Sequence, residues 1–207
     1  MTTRGSTERR GTERSTDRRQ ALVTVAAELF ARQGFRSTTV RQIAEAAGVL
    51  SGSLYHHFES KEAILDSLLT EYFDELLANY RQVALRAATP PEALWQLIEI
   101  AVNSLAQHRA AVLVLHNEQR ELALSPRFAY LQGFEKEIRA LWVQVLESGI
   151  AGGEFRDDLD PRLVYLVIRD AISVAVRWYQ PDGETSVAEL IAHFRRMLDG
   201  ISTEVGL

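Results

Sequence analysis

The sequence predicts an all-α protein of about nine helices. Apolar residues recur at three- and four-residue spacing in segment after segment, as in Ala21, Leu22, Val25, Ala26, Leu29 and Phe30. The intervals between these segments carry Gly and Pro, and no stretch alternates strictly with a period of two between hairpin signals. The chain of 207 residues is 46% hydrophobic and 25% charged, so it can bury a core and is too apolar for wholesale disorder.

Residues 1–15, MTTRGSTERRGTERS, are polar and Arg-rich with no hydrophobic period, and read as a disordered basic arm. A first helix is expected from Asp17, a plausible cap, to Gly34, which stops it as a C′ glycine does. Thr38 and Thr39 offer caps for a short helix, Val40 to Ala47. Gly48 ends it, and Ser51 can cap another through His57. Ser60, with Glu62 and Ala63, opens a long amphipathic helix to about Leu85, striped by Ile64, Leu65, Leu68, Leu69, Tyr72, Phe73, Leu76 and Leu77. Pro90 and Pro91 punctuate the chain, since proline suits the first turn of a helix and ends the one before it. Further helices are expected at about Pro91–Gln107, Ala110–Leu115 (a short one), Arg127–Ser148, Pro161–Trp178 and Val187–Ile201. Breaks fall at Ser125–Pro126, Gly149–Gly153, Asp160–Pro161 and Pro181–Gly183.

The absence of cysteine removes disulfides, thiolate metal sites and a cysteine nucleophile. His56 and His57 are adjacent, but no cysteine or close carboxylate completes a metal set, so neither a metal nor a cofactor is expected. The N-terminus has no apolar segment, and the run Leu163–Ile168 is cut by Arg169 and Asp170. A soluble, cytoplasmic protein without a membrane partner is therefore expected. The net charge of −5 is unevenly spread: residues 1–60 hold nine arginines against six acids, while the remainder is strongly acidic. A basic end on an acidic body is the asymmetry expected when one end meets phosphate.

Residues 40–58, VRQIAEAAGVLSGSLYHHF, have the layout of a helix-turn-helix. Two short helices crossing steeply need a small contact residue, Ala44, and a turn residue at ease with positive φ, Gly48. Ile43, Val49 and Leu54 can form the small core behind the second helix. Its other face shows Ser51, Gly52, Ser53, Tyr55 and His56, groups suited to base edges and phosphates. A plain helical hairpin with an alanine contact and a glycine turn would share this periodicity.

The run from the first helix through Gly34-Phe35 and Thr38–Ala44 to Leu54-Tyr55-His56-His57-Phe58 and Lys61-Glu62 resembles the TetR-family DNA-binding domain over about Gln20–Leu68. That resemblance implies a helix-turn-helix domain at 16–60 and a helical ligand-binding and dimerisation domain at 61–207. The partner would be double-stranded DNA with a palindromic operator, bound by a homodimer. Thr39, Arg41, Ser51, Gly52, Ser53, Tyr55, His56 and Lys61 fall where such proteins touch DNA. Arginine can pair with phosphate or guanine, and Lys61 would add a cation near the DNA backbone.

Leu50–Phe58, Ser125–Tyr130, Phe155–Asp160, Leu163–Tyr165, Ile168–Asp170 and Val176–Tyr179 resemble an actinobacterial TetR subgroup. Its members repress genes degrading the later rings of cholesterol and are released by a coenzyme A thioester of a ring-cleaved intermediate. Ser173 departs from that pattern, standing where the subgroup has a bulky aromatic residue. Arg169 interrupts an apolar helix, and burying an unpartnered guanidinium is costly. It therefore reads either as an anchor for an anionic ligand or as one half of an ion pair with Asp170 or another carboxylate, including one across a dimer. Tyr165 and Ser173, four residues either side, share its face. Arg120, Arg127 and Tyr130 are weaker ligand candidates, each more readily read as a solvated helix end.

Trp95, Trp142 and Trp178 are expected to pack the core. Val174, Val176, Leu190, Ile191, Phe194 and Leu198 suggest a two-fold four-helix seam. The rival reading, an all-α enzyme acting on acyl thioesters, lacks a suitably placed base or nucleophile near Arg169.

Overall fold

In the computed structural model the described residues are Gly5 to Ile201, with side chains described from Asp17 and Gly200 left aside. Among them lie nine α-helices, two short 3-10 turns and no strand. The helices are α1 (Gly5–Gln33), α2 (Val40–Ala46), α3 (Ser51–Tyr55), α4 (Lys61–Arg86), α5 (Pro90–Gln107), α6 (Arg109–Leu124), α7 (Leu131–Gly152), α8 (Pro161–Ala175) and α9 (Val187–Leu198). No described helix is long and apolar enough to cross a membrane.

Two expected elements change length for one reason. Helix α1 begins at Gly5, so most of residues 1–15 is helical and Asp17 lies inside the helix rather than capping it. Residues 1–4 lie outside the described part. Helix α6, expected to be short, continues to Leu124 through His116, Asn117, Glu118, Gln119 and Arg120. Apolar periodicity reports burial, and a polar stretch free of proline can stay helical without showing it.

The chain divides into two compact units, Met1–Glu71 and Tyr72–Leu207, so the division falls inside α4 rather than at the expected 60/61 boundary. In the first unit Leu22, Val23, Ala26 and Phe30 of α1, Ile43 and Ala44 of α2, Leu54 of α3, and Ile64, Leu65 and Leu69 of α4 are buried. Gly34 and Gly48 end α1 and α2 at φ 86° and 65°, as their positions in the sequence require. Thr39 caps α2 with a full capping box, its hydroxyl accepting from the Gln42 amide while the Gln42 side chain accepts from the Thr39 amide. Thr38 is a buried tie instead, its hydroxyl donating 2.8 Å to the Gly34 carbonyl.

The second unit packs α5 against α7, α9, α6 and α8, with α7 also on α8. Proline opens α5 and α8, capped by Thr89 and Asp160, and Ser186 caps α9 with a second capping box. Helix α8 ends at Ala175, short of the expected Trp178. Past its end the Arg109 guanidinium takes the carbonyls of Val176 at 2.8 Å and Tyr179 at 2.7 Å. A 3-10 turn at Pro126–Phe128 occupies the expected start of α7. Only one of the three tryptophans is deep in the core: Trp142 is 3% exposed, Trp178 is 57% exposed, and Trp95 is half-buried under Arg195.

Candidate nucleic-acid interface and ligand cavity

The α2–turn–α3 segment closes through hydrogen bonds across Gly48. The Ala47 amide donates to the Ile43 carbonyl at 2.9 Å, and the Val49 amide to the Ala44 carbonyl at 2.9 Å. Ala44 is 1% exposed and Leu54 fully buried, so small size at the crossing and one leucine anchor hold α3 in place. The opposite face is open. Arg41, Gly52, Tyr55 and His56 are exposed, Ser51 and Ser53 are half-buried, and a Cβ added at Gly52 would meet nothing within 4 Å. Thr39 is exposed at the start of α2, although its side chain is occupied by the capping box.

Ser51 does not cap α3; it is the first helical residue. The cap position is Leu50, which makes no side-chain cap bond and is 82% exposed. A Leu50→Ser substitution supplies the missing acceptor and is expected to stabilise the protein by about 0.5–1 kcal/mol. Thermal unfolding checks this, and a lowered Tm would mean that Leu50 packs on something its exposure conceals.

Lys61 stands where a cation near the DNA backbone was expected, but its ammonium turns inward. Nζ donates to the carbonyls of Phe35 at 2.7 Å, Thr38 at 2.8 Å and Arg36 at 3.3 Å, and lies 4.3 Å from the centre of the Phe35 ring. Lysine has three donors, so these bonds engage all of them. It clamps the α1–α2 loop onto the start of α4. Arg19, over the Phe58 ring at 4.5 Å and bonded to Ser67, adds a second tie.

The second unit holds a cavity of about 340 Å³. Its walls come from α4 (Tyr72, Phe73, Leu76, Tyr80), α5 (Ser104, Leu105), α6 (Val112, His116, Gln119, Leu122), the 3-10 turn (Phe128), α7 (Glu135, Ile138, Trp142) and α8 (Tyr165, Arg169, Ser173). Three of the expected ligand residues, Tyr165, Arg169 and Ser173, are thus brought together. Arg120 and Arg127 are exposed and outside the lining: Gln119 and Phe128, each one residue away, line it instead. Tyr130 is half-buried edge-on to Phe134 and does not line the cavity. The α4 aromatics, Ser104, Glu135 and Trp142 were not foreseen as lining. Tyr72, Leu76 and Tyr80 share an i, i+4, i+8 face, but that spacing marks a core stripe as readily as a cavity wall.

Arg169 stands on the cavity wall and is held in the ion pair that its second reading expects. Its Nε donates 2.9 Å to Asp170, Nη1 reaches Glu135 at 3.4 Å, and the guanidinium lies 5.6 Å from the Tyr165 ring centre. Partial burial opposes its charge. The hydrogen bond and charge of Asp170, with Tyr165 and Glu135, nonetheless leave its pKa above that of a free arginine, so it is a permanent cation on the wall. Burial raises the pKa of Tyr72 and Tyr165, and burial with the neighbouring Tyr72 raises Tyr80 well above its ordinary value. All three stay neutral at physiological pH. Among the described residues no cluster of His, Cys, Asp and Glu could hold a metal.

A helix-turn-helix with an open reading face, carried on the same chain as a largely apolar cavity with one fixed cation, defines a DNA-binding transcriptional regulator governed by a small molecule. Residues 22–68 match the family model of bacterial regulatory proteins of the tetR family, and 87–200 match the tetracyclin repressor-like C-terminal domain. The chain is 43% identical over 190 residues to the HTH-type transcriptional repressor KstR2 of Mycobacterium tuberculosis, covering 92% of this chain and 95% of that one. It is 40% identical over 187 residues to KstR2 of Rhodococcus jostii, covering 90% and 92%. The solved structure of the M. tuberculosis ketosteroid transcriptional regulator KstR2 superposes with a TM-score of 0.87 at 44% identity, over 90% of this chain and 96% of that one. The chain belongs to the TetR family of transcriptional regulators. It is a ligand-responsive repressor and not an enzyme.

Proposed function

We propose that the protein binds a palindromic operator as a homodimer and is released by a coenzyme A thioester from sterol ring degradation. The observation that carries the effector is the cavity: apolar walls for a ring or acyl body, with the Arg169 cation for an anionic group. At about 340 Å³ it lies at the lower end of small-molecule sites, which suits the acyl body of a thioester and leaves the nucleotide outside. The identity to repressors named KstR2, one described as a ketosteroid regulator, supports the sterol assignment.

Arg41, Ser51, Gly52, Ser53, Tyr55 and His56 form the reading surface. Thr39 contributes its place at the head of α2, and Lys61 holds the surface in position. Helix α4 is the lever: its first turns carry Lys61 and Ile64 of the DNA-binding unit, and its later turns carry Tyr72, Leu76 and Tyr80 of the cavity. A ligand releases DNA only if it favours the arrangement whose two heads miss the operator. Contact with those later turns gives it that leverage.

Gel shifts at several salt concentrations test the DNA contacts. Tyr55→Phe or Arg41→Ala is expected to weaken operator binding by roughly 1–3 kcal/mol where a base is read, or to lower the salt slope where phosphate is met. Unchanged affinity and slope in folded Arg41→Ala would remove that residue from the interface. Failure of every acyl-CoA thioester tried to release DNA from the wild type would sink the effector class.

A further inference from the structure

Thr39, Thr89, Asp160 and Ser186 each accept a main-chain amide at the head of α2, α5, α8 and α9. At the same position of α3 stands Leu50, which has no acceptor to offer and is 82% exposed. Single exposed leucines are common on proteins, but a cap position favours Ser, Thr, Asp or Asn. Leucine here forgoes a cap and leaves a large apolar group in water. Its backbone is nonetheless fixed. The Leu50 carbonyl accepts from the amides of Ser53 at 2.9 Å and Leu54 at 3.3 Å, and beside it the Val49 amide is bound to the Ala44 carbonyl. The side chain therefore projects from a held point at the head of the recognition helix.

Gly52, two residues on, is exposed, and a Cβ there would meet nothing. Glycine weakens a helix, so packing within the chain does not explain why no side chain fills that space. A bare backbone lets another surface come close. The head of α3 thus presents one projecting apolar group beside a low strip of Ser51, Gly52 and Ser53.

A recognition helix brings its N-terminal residues to the base edges in the major groove. Among the groups that base pairs display there, the C5-methyl of thymine is the apolar one, and the rest are hydrogen-bond donors and acceptors. Resting on the reading of this face as the surface that meets operator DNA, we infer that Leu50 packs against a thymine C5-methyl in each half-site and is a specificity-determining residue. A phosphate offers leucine no partner, and a cytosine amino group or a guanine oxygen pressed against it would lose water without gaining a bond. Arg41, Ser51, Ser53 and Tyr55 can reward donors and acceptors, and Leu50 rewards the one group that they cannot.

The probe is the duplex that the full-length wild-type protein enriches from a randomised library. Exchanging thymine for deoxyuridine, one position at a time, removes the methyl and leaves the base pair intact. At one symmetry-related pair of positions, gel shifts are expected to show affinity falling about fourfold for each half-site changed, the worth of one methyl taken out of water. In Leu50→Ala the same exchange is expected to leave affinity unchanged, with circular dichroism confirming the fold. An enriched half-site without thymine, no position sensitive to the exchange, or a sensitivity of the same size in Leu50→Ala overturns the inference. If Tyr55→Phe or Arg41→Ala weakens binding while the uracil exchange is silent, the DNA-contacting face stands and this inference alone is overturned. If those two substitutions and the exchange are all silent, the reading of the face goes with it.

Discussion

Replacing Arg169 with methionine is expected to weaken binding of an acyl-CoA thioester by tens-fold while leaving operator affinity intact. Loss of one partner from a buried charged hydrogen bond costs about 2–5 kcal/mol, and partial exposure of this guanidinium places the effect near the lower end. The substitution acts twice. It removes the cation and leaves Asp170 and Glu135, now without Arg169 opposite them, to repel an anionic ligand. Calorimetry with the thioester and a gel shift on the same preparation separate the two functions. Wild-type effector affinity in folded Arg169→Met would return Arg169 to an ion pair that holds α8 to α7 and nothing more.

A charge at Val167 is expected to abolish dimers, and with them tight operator binding, without unfolding the chain. Helix α8 is apolar on two faces. Tyr165, Ile168, Ile172 and Ala175 are buried, while Leu163, Val167 and Val174 stay exposed, continued past the helix end by Trp178. Such a stripe marks a partner surface, and in a two-fold dimer each substitution counts twice. At several kcal/mol per buried ion, Val167→Glu is expected to raise the dimer dissociation constant at least on the order of a thousandfold. Light scattering at micromolar concentration checks it, with circular dichroism to confirm the fold. A persistent dimer would place the seam elsewhere. Of the residues suggested by sequence for this seam, Val174 lies on this stripe, whereas Val176, Leu190 and Phe194 are less suitable at 0%, 6% and 7% exposed within the single chain. Phe194→Glu would therefore damage the core of the second unit before it tested any interface.

The reading head was legible because its physics is local. Gly34 and Gly48 needed positive φ, the capping box needed Thr39 and Gln42 three apart, and Ala44 and Leu54 filled a crossing a few residues wide. Each requirement is met within a short stretch of chain, so each leaves a pattern in it. The partners of Lys61 were not legible, for the complementary reason. A lysine at a helix start looks like a free cation until the carbonyls of Phe35, Arg36 and Thr38, more than twenty residues earlier, are seen to enclose it.

By itself the sequence determined the all-α class, the helix-turn-helix with its exposed face, and an arginine in α8 that demanded a partner. Periodicity, caps and the cost of burying a charge are properties of neighbouring residues. Only the tertiary structure decided which apolar face of α8 is core and which is exposed, that Arg120 and Arg127 stay outside the cavity lining, and that Trp142 sits buried in its wall. Those outcomes depend on which helices meet, and a periodic stripe says that a face will be buried without saying against what.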